Sequence, residues 1–112
     1  MIFVTGPMFA GKQEYIQHAL GLSQDAFTAQ AVWDVERLAA KTADLEALAD
    51  ELAMHEIVIA SELGGGIVPA DRLEREAREA AGRLSCLLAR RAETVVRVVC
   101  GLPQVLKGEL PC

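Results

Sequence analysis

The sequence predicts a small α/β fold, a parallel sheet with flanking helices of the phosphate-loop NTPase (RecA-like) type. Short apolar runs at 2–5, 57–60 and 94–99 are typical of strands that are covered on both faces, and segments with helical apolar spacing separate them. A glycine-rich segment at 6–13 follows the first run directly. Such alternation predicts roughly three or four parallel strands joined by right-handed crossovers, with a ligand site at their carboxyl ends.

The segment 6–13, Gly-Pro-Met-Phe-Ala-Gly-Lys-Gln, has the spacing of a phosphate-binding loop. A strand that turns sharply into a helix directs backbone N–H groups into one concavity, and the helix dipole adds positive charge there. Gly6 permits the turn, Gly11 allows a phosphate to approach the backbone, and Lys12 reaches a terminal phosphate oxygen. We therefore predict that eight consecutive residues contact a nucleotide: Gly6, Pro7, Met8, Phe9, Ala10, Gly11, Lys12 and Gln13.

The next segments are predicted to be mostly helical. An amphipathic helix is expected over 12–22 and a turn over 21–25, whereas 26–31 fits either a short strand or an irregular connection. Apolar residues recur at helical spacing over 32–52, which predicts two helices with a break near Lys41.

The C-terminal half contains a second loop and a long helix. The loop at 61–69 carries three consecutive glycines, and the helix is expected from about Ala70 to about Arg91. After it, the strand 94–99 leads into a turn at 101–103. The ends of three strands should therefore meet at one edge of the sheet. A sheet this small leaves an edge exposed, so a homo-oligomer is expected.

Composition narrows the classes of function. Apolar residues make up 52% of the chain and aromatic residues only 4%, so the core is expected to consist of Ala, Leu and Val. The formal charge of −5 disfavours broad binding to nucleic acid or anionic membrane. No apolar run is long enough to span a bilayer and no secretory signal is recognisable. We expect a single cytoplasmic domain over 1–112 that binds one nucleotide.

The cysteines do not indicate a metal site or a disulfide framework. Cys86, Cys100 and Cys112 are odd in number, and their spacing matches neither class. Cys86 lies in an apolar helical stretch and Cys100 ends an apolar strand, so both are expected to be buried thiols. Cys112 is expected to be exposed.

Glu62 is the second candidate site residue. An acidic residue at the end of an apolar strand, beside a phosphate loop, can hold a Mg²⁺-bound water or accept the proton of a substrate hydroxyl. The alternative is a solvated loop residue or a cap. The glycines at 64–66 favour the first interpretation, because such backbone is most useful where a ligand approaches closely.

Motifs in the C-terminal half resemble a known family. The run 61–73, Ser-Glu-Leu-Gly-Gly-Gly-Ile-Val-Pro-Ala-Asp-Arg-Leu, is followed by Gly-Arg-Leu at 82–84, by Arg-Val-Val-Cys-Gly-Leu-Pro at 97–103 and by Lys107. Together they resemble the C-terminal half of the adenosylcobinamide kinase/adenosylcobinamide-phosphate guanylyltransferase family. The likeness covers roughly residues 56–107, and the phosphate loop extends it to the start of the chain.

The resemblance implies an enzyme of cobalamin biosynthesis. It would bind ATP or GTP and phosphorylate the aminopropanol hydroxyl of adenosylcobinamide, a corrinoid, with Lys12 and Glu62 as catalytic residues. Mg²⁺ is expected with the nucleotide, but its protein ligand is left unassigned, because Gln13 stands where a Ser or Thr hydroxyl normally binds the ion.

The sequence also departs from this family. Family members are longer, and this sequence has no match to their middle portion, which carries the histidine that accepts GMP. Only His18 and His55 occur in the chain, and neither has the matching context, so guanylyl transfer is in doubt. Two alternatives stay open. One is a catalytically reduced nucleotide- or corrinoid-binding homologue with a regulatory or scaffolding role, and the other is a subunit completed by a separate polypeptide.

Overall fold

A computed structural model describes residues 1–63 and 71–110. Five strands form one sheet, and helices cover both of its faces. The strands are β1 (Ile2–Thr5), β2 (Ala31–Val32), β3 (Ile57–Ile59), β4 (Thr94–Val99) and β5 (Leu102–Lys107). The helices are α1 (Lys12–Ala19), α2 (Gln24–Gln30), α3 (Leu45–Leu52) and α4 (Arg72–Arg91), with a 3₁₀ segment at Val35–Lys41.

The sheet order is β2-β3-β1-β4-β5. The first four strands in chain order are parallel, and β5 pairs antiparallel with β4. β1 is central, and its last residue, Thr5, pairs with Arg97 of β4. The carboxyl ends of β1, β3 and β4 therefore lie side by side. This arrangement confirms the predicted α/β class, a mostly parallel sheet with flanking helices.

The two faces of the sheet bury separate apolar clusters, because successive strand residues point to opposite sides. Phe3 and Val95 pack with the 3₁₀ segment, α3 and α4. Val4 and Val96 pack instead against α1 and α2, with Ile16 and Phe27 fully buried. Each of these large side chains contributes on the order of 1.5–3 kcal/mol of apolar burial. The phosphate-loop helix and α4 consequently lie on opposite faces of the sheet.

The structure corrects the prediction for residues 21–31. A turn forms at residues 20–21, overlapping the predicted range, but it is shorter than expected, and the predicted open connection is helix α2, which ends directly at the two-residue strand β2. Ser23 begins the helix, since its Oγ accepts a hydrogen bond from the backbone N–H of Ala26 at 3.2 Å. Phe27 anchors it and stacks on Trp33 with ring centroids 5.6 Å apart. A seven-residue helix with one fully buried side chain is too short to show an apolar period.

The sheet also has more strands than predicted, and one is antiparallel. The turn expected after Cys100 is the tip of a hairpin that leads into β5. Cys100 and Gly101 have φ values of 53° and 74°, and positive φ at both central residues is typical of a type I′ hairpin turn. All six residues of β5 are exposed. Because the strand is not covered by the core, its sequence has no continuous apolar run like the one that predicted β4.

The expectation for the cysteines was wrong. Cys86 and Cys100 are both exposed. Cys86 lies on α4 in the wall of a cleft, and Cys100 lies at the tip of the β4–β5 hairpin. Cys112 and the glycine loop at 64–70 lie outside the described residues. No helix in the described ranges combines the length and the apolarity that crossing a bilayer would require.

Candidate functional site

The connection between β1 and α1 is a tight loop that requires glycine at both ends. Gly6 has a φ of 145°, and a Cβ there would lie 2.2 Å from the carbonyl oxygen of Val98. Gly11 caps α1 with a φ of 84°, next to the hairpin glycine Gly101. Phe9 also has a positive φ, 60°, although it is not glycine. The backbone geometry of this loop thus accounts for the glycine spacing in the sequence.

Lys12 folds back over the loop that precedes it. Its Nζ donates hydrogen bonds to the carbonyl oxygens of Pro7 at 2.7 Å and Gly6 at 3.3 Å. The residue is only 8% exposed, and this burial lowers the pKa of the Lys12 ammonium from its usual value. Glu36, Asp34 and Glu62 oppose the shift as nearby negative charges. The Lys12 side chain is therefore held against the carbonyl groups at the start of the loop.

The segments at the ends of three strands meet at this loop, as the topology predicted. The N–H of Glu62 donates to the carbonyl oxygen of Gly6 at 2.8 Å, and the N–H of Gly101 donates to Ala10 at 2.8 Å. Glu62 comes shortly after the end of β3, and Gly101 comes shortly after the end of β4. The structure thus brings the two residues predicted to be catalytic together at Gly6, whose carbonyl oxygen accepts from the Lys12 ammonium and from the backbone N–H of Glu62.

The Glu62 carboxylate is held by an arginine from β4. Arg97 donates through Nε to Oε2 at 2.7 Å and through Nη2 to Oε1 at 2.8 Å, a bidentate pair. These hydrogen bonds lower the pKa of Glu62, with a smaller contribution from the Lys12 charge, and raise the pKa of Arg97. Glu62 is consequently ionised at neutral pH. It can accept a hydrogen bond well but is a weak proton acceptor.

Arg97 was not predicted to be a site residue, although its position in the sequence indicated one. It interrupts an otherwise apolar strand, Val-Val-Arg-Val-Val, near its carboxyl end. A parallel sheet that places this strand beside β1 sets the arginine next to the phosphate loop. Its ion pair with Glu62 joins residues 35 positions apart, and no local pattern specifies which acid it meets.

Glu36 is a second residue that the sequence did not reveal. It lies in the 3₁₀ segment, is only 6% exposed, and its Oε1 accepts the backbone N–H of Ser61 at 2.9 Å. The carboxylate therefore fixes the backbone beside Glu62. Among the acids near Lys12 it opposes the lowering of the lysine pKa most strongly. No motif marks it, because it falls within a segment that was predicted only from its helical spacing.

The two histidines lie away from this cluster. His18 is in the last turn of α1. His55 precedes β3, whereas Glu62 follows it, so the two residues lie at opposite ends of that strand. Neither histidine is among the groups that contact the loop in the described structure.

The described side chains do not form a ready-made magnesium site. Within residues 1–63 and 71–110, no three His, Cys, Asp or Glu side chains gather closely enough to hold a metal ion. Both oxygens of Glu62 are engaged by Arg97, and one oxygen of Glu36 by Ser61. Magnesium in nucleotide sites is usually held by phosphate oxygens with one or two carboxylates. We assign no protein ligand and no reaction step to the ion.

Clefts border α4 on several sides, among them a wide cleft away from the loop at 6–13 and a smaller slot beside that loop. A cleft of about 1100 Å³ has α4 on one side and, on the other, the chain from the end of the 3₁₀ segment to the start of α3. A slot of about 340 Å³ lies between α4 and the sheet, and Thr5, Ser61 and Glu62 are in its wall. Glu62 lines the slot, whereas the lining of the wide cleft contains neither Glu62 nor Arg97 nor any residue of the loop at 6–13, so size alone does not identify the site.

Comparison with known proteins places the chain in a family. A family model described as "Cobinamide kinase / cobinamide phosphate guanyltransferase" matches residues 20–106. The chain belongs to this family. The match includes Glu36, Glu62 and Arg97 and begins after the phosphate loop. The resemblance inferred from the glycine-loop motif is therefore confirmed.

A curated relative in Pseudomonas aeruginosa carries the name "Bifunctional adenosylcobalamin biosynthesis protein CobP". It is 38% identical over 76 residues, which cover 68% of this chain and 44% of the relative. The chain thus spans less than half the length of that relative.

Proposed function

We propose that this family member is a kinase of cobalamin biosynthesis. It would bind ATP or GTP at residues 6–13 and phosphorylate the aminopropanol hydroxyl of adenosylcobinamide. One observation carries the proposal: the buried Lys12 ammonium and the backbone N–H of Glu62 both donate a hydrogen bond to the carbonyl oxygen of Gly6, so the two residues meet at the same point of the loop. In this proposal the Lys12 ammonium binds the phosphates, and the Glu62 side chain accepts a hydrogen bond from the substrate hydroxyl at the same loop. Membership of the family supports the choice of pathway and acceptor.

The chemistry that we propose is phosphoryl transfer. The acceptor hydroxyl oxygen forms a bond to the terminal phosphorus of the nucleotide, while the bond from that phosphorus to the bridging oxygen breaks. The nucleoside diphosphate leaves, and the hydroxyl proton passes to solvent. Lys12 and the N–H groups of the loop stabilise the negative charge on the transferring group.

Glu62 orients the acceptor in this scheme. Its lowered pKa suits an ionised carboxylate that accepts a hydrogen bond from the hydroxyl, and a loose transition state requires little proton removal before transfer. Arg97 positions that carboxylate through both oxygens. Glu36 holds the adjacent backbone at Ser61.

Guanylyl transfer is not included in the proposal, since neither His18 nor His55 lies at the loop. We propose further that residues 1–112 act as one cytoplasmic nucleotide-binding domain. The exposed edge strand β5, with Leu102 70% and Leu106 56% exposed, supports a homo-oligomer.

The experiment is a transfer assay. The purified chain is incubated with ATP or GTP, Mg²⁺ and adenosylcobinamide, and the corrinoid is separated by chromatography. A phosphorylated corrinoid is expected, and Lys12→Ala should reduce its formation by about 100-fold or more. Product at the parent rate from the variant contradicts the role of Lys12.

A second candidate is a binding protein without transfer activity. Gln13 stands where a Ser or Thr hydroxyl normally binds Mg²⁺. This replacement favours a catalytically reduced homologue that regulates or scaffolds the pathway. Binding of nucleotide and corrinoid without product in the same assay would support this candidate over the kinase.

A further inference from the structure

The slot between α4 and the sheet has apolar walls and one polar end. Phe3 and Val95 of the sheet and Ala81 and Ala89 of α4 contribute apolar wall. The polar residues gather where the strands end. The full lining comprises Phe3, Thr5, Ser61, Glu62, Leu63, Arg78, Ala81, Gly82, Ser85, Cys86, Ala89, Val95 and Leu106.

The polar end of the slot adjoins the phosphate loop. Thr5 is the residue before Gly6, and the N–H of Glu62 donates to the Gly6 carbonyl at 2.8 Å. The Glu62 side chain is fixed there by Arg97. A group that enters the slot and extends to this end arrives beside the loop, with an ionised carboxylate to meet it.

We propose that this slot binds the hydroxyl-bearing arm of the phosphate acceptor and presents the hydroxyl to Glu62. The inference rests on the proposed kinase function and names the acceptor site for it. Small-molecule sites span on the order of 300–1,000 Å³, so a volume of about 340 Å³ is at the lower end of the range. The slot accommodates one arm of a corrinoid, an alcohol on a short chain, while the macrocycle remains outside.

The larger cleft is a weaker candidate for the acceptor. It shares Gly82 and Cys86 with the slot, but its wall contains neither Thr5 nor Glu62. Its acidic residues, Asp44, Glu46 and Glu79, belong to α3 with its N-cap and to α4, whereas Glu62 of the slot is joined to the phosphate loop through its backbone N–H. The two clefts can be distinguished because Ser85 lines only the slot, whereas Arg83 lines the cleft and not the slot.

Thiol footprinting tests the assignment. Cys86, Cys100 and Cys112 are replaced by Ser, and a single thiol is introduced by Ser85→Cys, with Arg83→Cys as the matched control on the same helix. Alkylation by iodoacetamide is followed with and without adenosylcobinamide, after calorimetry has established its dissociation constant. At about ten times that constant, the Ser85→Cys thiol should react about tenfold more slowly, and the Arg83→Cys thiol at an unchanged rate.

Each outcome is decisive. Protection at position 83 alone places the acceptor outside the slot, in a cleft that Arg83 lines, and overturns the proposal. Protection at neither position, with calorimetric binding intact, overturns it while the kinase function stands. Absence of adenosylcobinamide binding in the calorimeter overturns the proposed function and, with it, this site.

A filling substitution supplies an independent check in the native cysteine background. Ser85→Leu should raise the dissociation constant for adenosylcobinamide about tenfold or more, because the added side chain occupies the slot. The affinity for ATP and the unfolding midpoint should stay close to the parent values. Unchanged acceptor affinity in a folded Ser85→Leu protein contradicts the assignment.

Discussion

The phosphate loop and the carboxylate cluster beside it are built in different ways. In the loop, contiguous residues set the backbone: Gly6 admits no side chain, Gly11 caps α1, and Lys12 bonds to carbonyls of the same loop. In the cluster, side chains arrive from separate elements, Arg97 from β4 and Glu36 from the 3₁₀ segment. The loop depends on the absence of side chains at its glycines, whereas the cluster depends on ion pairs and hydrogen bonds between charged side chains. Substitutions should therefore reduce the free energy of unfolding most in the loop, and by smaller amounts that differ from residue to residue in the cluster.

Gly6→Ala should have the largest effect on stability. Its Cβ would lie 2.2 Å from a backbone oxygen, at a φ that side chains rarely adopt, so the loss should be about 3 kcal/mol or more. Gly21→Ala is the control, because Gly21 also has a positive φ but no atom lies within 4 Å of its added Cβ. It should lose about 1 kcal/mol. Equal losses in urea unfolding would refute the steric account of the loop.

Glu36→Leu should have an intermediate effect. It removes the acceptor of the partly buried Ser61 N–H, which should cost about 1–3 kcal/mol in urea unfolding. Glu36→Gln keeps an acceptor oxygen in the same place and should retain most of that stability. A Gln variant as unstable as the Leu variant would show that charge, and not the hydrogen bond to Ser61, is what the site requires.

Arg97→Met should have the smallest effect, and it should depend on pH. The pair lowers the pKa of Glu62, so its contribution is present above the unfolded value of about 4.5 and is lost as pH falls through the lowered folded value. The difference in melting temperature between parent and variant should accordingly shrink between about pH 5 and pH 2.

Arg75→Met, an exposed arginine on α4, is the control for this series. It should leave the pH dependence of the melting temperature as in the parent. A gap between parent and Arg97→Met that stays constant down to acid pH would mean that the arginine stabilises by packing and not by its ion pair.

The same contrast explains what the sequence could reveal. The loop and the alternation of strands and helices are visible as local sequence patterns. The spacing of Gly6 and Gly11 predicted the loop, and the apolar runs predicted the strands. The convergence of strand ends follows from parallel topology, and it brought Glu62 to the loop. Glu36 was missed because its partner is 25 positions away, and a long-range pairing leaves no local period. Helix α2 and strand β5 were missed because one is short and the other is exposed.

Calorimetric titration of the parent and of Lys12→Met with ATP and GTP, in the presence of Mg²⁺, tests the central claim most directly. The account predicts that the parent binds a nucleotide and that the variant loses about 100-fold or more in affinity. The unfolding midpoint should change little, since methionine replaces a buried ammonium with an apolar chain of similar length. Equal affinity in both proteins, or binding by neither, would contradict the claim that this loop and its lysine form a nucleotide site.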